Sequence, residues 1–138
     1  MGAARAFLKA LKWLPEDASL HHWLGKSYAR MAEIASPLHG SSNARKARVN
    51  LERAVQLEPR NQQYLRELFD FYLDSAEWFK GGLERASLLV EKIEPDDPSA
   101  QAFLRTLVAA ASQEHSGIYG RWRQATVVLP GQIGRIIP

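Results

Sequence analysis

Apolar residues recur along this chain in two interleaved patterns. The first links four positions by steps of four, three and five. Ala3, Phe7, Ala10 and Pro15 make one instance, Ala47, Leu51, Ala54 and Pro59 the next, and Ala86, Val90, Ile93 and Pro98 a third. Steps of four and three put side chains on one helix face, and the proline falls past the helix end, where it cannot continue the helix. The second pattern lies between these. Leu20, His21, Leu24, Gly25 and Tyr28 form one instance, Tyr64, Leu65, Leu68, Phe69 and Tyr72 another, and Phe103, Leu104, Leu107, Val108 and Ala111 a third. Two kinds of helix therefore alternate and must pack face to face. The pattern predicts an all-α fold of antiparallel hairpins, with helices over about 3–14, 18–35, 43–57, 61–78, 82–94 and 99–115. Asn43 and Ser99 are the expected N-caps of two of them. The chain opens on a helix of the first pattern with none of the second before it, as expected of a fragment or an atypical end repeat.

The run WLGKSY at Trp23–Tyr28 resembles the leucine–glycine–aromatic signature in the first helix of a tetratricopeptide repeat. The spacing Ala47-x3-Leu51-x2-Ala54-x4-Pro59 resembles the second helix of that repeat. The resemblance covers roughly residues 1–115 and implies a short right-handed solenoid of stacked hairpins. Its packing positions would be Leu24, Gly25, Tyr28, Ala47, Leu51, Ala54 and Pro59, with Gly25 and Ala54 at a close helix–helix approach. The match is imperfect. Repeats of this kind have a period of about 34 residues, whereas the prolines here recur after 44 and then 39. The first excess lies around Glu33–Ser42 and ends in the turn-rich run SPLHGSSN; the second lies near Ala76–Lys80. Long first helices followed by a GGLERA-like entry to the second resemble a group of bacterial repeat proteins that are often exported.

The expected organisation is a helical repeat domain over 1–116 and an apolar tail over 117–138. In the tail, Ile118, Trp122, Ala125 and Pro130 reproduce the steps of the first pattern. Gly117, Gly120 and the β-branched run Thr126–Val128 oppose a helix there, so both a final helix near 118–128 and an extended tail stay open.

Charge adds an asymmetry. The net charge is +3. Residues 1–60 hold ten Lys/Arg against five Asp/Glu, residues 61–115 hold five against ten, and residues 116–138 hold three arginines and no acid. Such a field can orient a partner without identifying it. The absence of cysteine excludes disulfides, thiolate metal sites and thiol nucleophiles. No apolar run approaches the length of a membrane span, and no signal peptide is recognisable, since Lys9 and Lys12 interrupt the first apolar stretch. The compartment stays open between cytoplasmic and periplasmic or exported.

Catalytic signatures are missing. No serine sits in a G-x-S-x-G elbow, and no phosphate loop or H-E-x-x-H motif occurs. His21 and His22 are adjacent, so on a helix they face about 100° apart and cannot grip one metal. Asp70 and Asp74 lie one turn apart and would need burial to act as an acid–base pair; Asp96 and Asp97 read as solvated loop residues. The cluster Arg45, Lys46, Arg48 and Arg53 could meet phosphates, but no aromatic interleaves it for base stacking. The expectation is neither an enzyme nor a nucleic-acid binder, with no cofactor and no metal.

The resemblance implies a site. In tetratricopeptide repeats the first helices line a concave groove that receives a partner. The corresponding residues are His22, Lys26 and Arg30, then Arg66, Asp70 and Asp74, then Arg105 and Ser112, with His21 turned to the core. Lys26, Arg66 and Arg105 would share one face and favour an acidic protein or peptide. The expected function is a non-catalytic scaffold binding a protein or peptide in that groove. The alternative is a structural segment of a larger assembly whose groove is filled by its own tail. Bare apolar ends also suggest homo-oligomerisation.

Overall fold

The computed structural model describes residues 2–35, 37–76 and 81–114. The tail 117–138, with its open question of a final helix, lies outside the described residues. Six α-helices and no strand make up what is described: α1 (Gly2–Leu11), α2 (Ala18–Ile34), α3 (Pro37–Leu57), α4 (Gln62–Asp74), α5 (Gly82–Val90) and α6 (Pro98–Glu114). Each packs mainly on its neighbours in the chain, and the α2–α3 contact is the most extensive.

Local chemistry sets the ends. Asp17 accepts a hydrogen bond from the Leu20 N–H and Asn61 accepts one from the Tyr64 N–H, the side-chain capping that frees a helix start from unsatisfied donors. Gly81 begins α5 at φ 82°, a left-handed conformation that favours glycine.

Two expected caps are corrected. Asn43 lies inside α3, which starts six residues earlier than 43, at Pro37. Proline lacks an N–H and has a preset φ, so at the first helical position it starts a helix rather than breaking one. The run from Pro37 to Asn43 is therefore helical, and the longer helix accounts for the wide spacing between Pro15 and Pro59. Ser99 is not the cap of α6. The Asp97 carboxylate accepts from the N–H groups of Ser99 and Ala100, each at 3.0 Å, so Asp97 is a cap rather than a solvated loop acid.

The apolar patterns become the core. Ala47, Leu51 and Ala54 are buried on α3, as are Ala86 and Val90 on α5 with Ile93 just after it. Tyr64, Leu65, Leu68, Phe69 and Tyr72 are all buried on α4. In α1 the register slips by one: Ala4 is buried while Ala3 is exposed, and Phe7 and Leu11 pack on the core. Pro59, expected among the packing positions, is instead exposed in the turn after α3, where it stops the helix.

Gly25 lies against α3, but not where expected. A Cβ placed on it would come within 2.7 Å and 2.8 Å of Leu51 side-chain carbons and 3.0 Å of the Leu51 backbone nitrogen. The close approach exists with Leu51 as its partner. Ala54 instead packs with Ala18 and Tyr64 in a second, smaller cluster.

Polar links centred on Glu52 join α3 to both α4 and α5. Glu52 on α3 accepts hydrogen bonds from the Tyr72 hydroxyl of α4 and from Arg85 of α5, and it pairs with Arg48 one turn before it. Burial, followed by this bond to a carboxylate, pushes the Tyr72 hydroxyl pKa well above its ordinary value.

Candidate functional site

A groove of about 570 Å³ opens between α2 and α4. Lys26, Ala29, Arg30 and Glu33 come from α2, and Glu67, Asp70, Phe71 and Asp74 from α4. Their steps of three and four keep them on one face of each helix. Leu51 of α3 also lines the groove.

Charge in the groove is mostly spoken for. Glu67 Oε1 lies 3.3 Å from Lys26 Nζ and 3.3 Å from His22 Nε2. Arg30 reaches Glu33 at 3.4 Å. Lys26 Nζ also sits 4.9 Å above the Trp23 ring, a contact that favours a cation over the indole face. Asp70 forms no ion pair among the described residues. Shielding by the surrounding protein raises its carboxyl pKa; Arg66 opposes this and Glu67 adds to it. Four carboxylates face two cations in the lining.

The structure exchanges the expected roles of the two histidines. His22 is buried, with 2% of its surface exposed. It stacks on Tyr64 at 4.6 Å and meets Trp23 edge-on at 5.2 Å. Its ring nitrogens form no aligned hydrogen bond, and desolvation lowers its pKa against the pull of Glu67. His22 thus acts as a core aromatic beneath the groove rather than as a groove-facing residue. His21, expected in the core, bridges the Pro15 carbonyl and the Asn50 side chain, each at 2.9 Å. Adjacent helical residues point about 100° apart, so a one-position error in register swaps them.

Four of the expected groove residues come together: Lys26, Arg30, Asp70 and Asp74. Arg66 and Arg105 do not line the groove with them. Arg66 pairs with Glu94 at 3.5 Å and Arg105 with Glu91 at 3.1 Å, so both hold the α5–α6 connection. Sequence reasoning missed Gln62, which donates to the Lys92 carbonyl and accepts from the Glu94 N–H at 2.8 Å. It also missed Glu67, although Glu67 lies one residue after Arg66 and one turn before Asp70 and Phe71. The basic cluster is partly engaged as well. Arg53 bonds Glu16 at 2.9 Å, and Lys46 lies over the Tyr28 ring.

Among the described residues, no group of three or more histidine or carboxylate side chains is placed to hold a metal ion. No helix among them is long and apolar enough to cross a membrane. Comparison with family models, with curated proteins and with solved structures finds no match.

Proposed function

We propose that this chain is a short right-handed solenoid of the tetratricopeptide-repeat kind, and that it acts as a non-catalytic scaffold holding a protein or peptide segment in the groove between α2 and α4. The observation that carries this reading is the groove itself. It combines an apolar floor of Ala29, Ala32, Leu51 and Phe71 with charged walls, and its volume suits a few side chains of an extended guest. The lining favours a guest that brings lysine or arginine beside an apolar residue. Asp70 is a carboxylate placed to receive such a cation, because it lines the groove and forms no ion pair among the described residues.

Selection of a randomised peptide library on the immobilised full chain tests this. Peptides pairing Lys or Arg with an apolar residue should be enriched. The double variant Asp70→Lys with Asp74→Lys should lose them, and the wild-type chain should release them as salt rises. No enrichment, or enrichment indifferent to the charge reversal, would overturn the reading.

A further inference from the structure

Before Glu16 the chain carries Arg5, Lys9 and Lys12 and no acid. Arg5, Leu8, Lys9 and Lys12 are linked by steps of three and four, so they share one side of α1 and its last turn. All four are exposed. The stripe of Ala4, Phe7 and Leu11 turns the other way and packs on the core, where α1 meets mainly α2. Elsewhere the arginines are engaged: Arg53, Arg66, Arg85 and Arg105 each pair with a carboxylate. Arg5, Lys9 and Lys12 form no ion pair among the described residues.

Large apolar side chains stand exposed beside these cations. Trp13 is 85% exposed, Leu14 56% and Leu8 46%. The turn that carries Trp13 and Leu14 is fixed, since both of their N–H groups donate to the Ala10 carbonyl at 3.0 Å. Cations and apolar side chains side by side ask for a partner that satisfies both. Nucleic acid would meet the cations but offers Leu8 and Leu14 no apolar layer. A peptide needs a concave seat, and the α2–α4 groove takes no residue from α1. An anionic lipid surface supplies negative headgroups directly above an apolar layer, and tryptophan favours that boundary.

We infer that the outer side of α1 and the turn after it rest on an anionic lipid surface. Arg5, Lys9 and Lys12 meet the headgroups, and Leu8, Trp13 and Leu14 enter the boundary beneath them. The contact is peripheral, because α1 has ten residues and a span needs about 20. Neither half of the face suffices alone: the cations draw the chain to the surface, and the apolar side chains hold it there. This assignment does not depend on what the groove binds.

Co-sedimentation of the full chain with lipid vesicles tests this. Phosphatidylcholine vesicles containing roughly one-third phosphatidylserine should retain the chain, pure phosphatidylcholine should not, and retention should fall as salt rises. The triple variant Arg5→Gln, Lys9→Gln, Lys12→Gln should lose about 100-fold in partition, at about fivefold per cation. Trp13→Ala with Leu14→Ala should lose about tenfold. All five side chains are exposed, so both variants should keep the wild-type helical circular dichroism. Brominated lipid should quench the wild-type tryptophan fluorescence, and Trp13→Phe should remove most of that quenching while the chain still sediments. No retention on the anionic vesicles, or retention that both variants leave unchanged, would overturn the inference. Binding to a single-stranded oligonucleotide without binding to vesicles would equally overturn it, in favour of nucleic acid.

Discussion

The helix pairs α2–α3 and α4–α5 carry corresponding positions of the two sequence patterns and are held by different means. In the first, Gly25 offers no side chain and Leu51 of α3 fills the space down to the backbone. In the second, the residue at the corresponding position of the sequence pattern is Phe69, whose ring is fully buried. The first hairpin is a close approach that tolerates no added atoms. The second is a filled volume that tolerates no removed ones, and Tyr72 and Arg85 reach back to Glu52 of the first to tie the two together. One position of the sequence pattern can thus be satisfied by subtraction or by addition.

Four perturbations would break or sharpen this contrast. The largest effect is expected from Phe69→Ala, which empties a fully buried site and should cost about 3–5 kcal/mol in denaturant unfolding. A loss below about 1 kcal/mol would mean that the second hairpin collapses onto the space and is not volume-limited. Next comes Gly25→Leu, expected to cost about 1–3 kcal/mol by overpacking, with part of the loss recovered when Leu51→Ala is added. If the second change brings further loss and no recovery, Leu51 is not the residue in the way.

Glu52→Ala tests the link between hairpins. It removes the acceptor of the Tyr72 hydroxyl and should cost about 1–3 kcal/mol, with a smaller separate effect for Tyr72→Phe. The two changes should be non-additive in a double-mutant cycle; strict additivity would show that the bond contributes nothing. The smallest effect is a pH dependence. Burial lowers the His22 pKa below its ordinary 6.5, so the unfolded chain takes up the proton first as pH falls. Stability attributable to His22 is full above pH 6.5 and declines as pH drops through its folded value. Unfolding midpoints at pH 7.5 and pH 5.5 should differ more for the wild type than for His22→Phe. Equal differences would remove His22 as the cause.

Much of the fold was legible because helix periodicity is a strong signal. The patterns through Ala47, Leu51 and Ala54 and through Tyr64–Tyr72 became buried faces without adjustment. Boundaries fared worse where one residue type has two meanings. Pro37 was read with its glycine and serines as a turn, yet proline is also a good first helical residue. The groove was half legible. Offsets along α2 and α4 found Lys26, Arg30, Asp70 and Asp74, because those depend only on helix geometry. Pairing of charges across helices depends on rotation and spacing that the pattern does not encode. Hence Arg66 and Arg105 were expected beside a guest, whereas the structure pairs them with Glu94 and Glu91.

The packing of each helix mainly on its neighbours in the chain bears on how the molecule forms. Contacts between consecutive elements need only short loops to close, and chains dominated by them fold quickly. Each hairpin can assemble as soon as its second helix is complete, without waiting for distant segments. During synthesis that order runs from the amino end. The link from Glu52 to Tyr72 and Arg85 spans 20 and 33 residues. The Tyr72 bond can form once α4 has been made, whereas the Arg85 bond closes only after α5, locking together helices that are already in place.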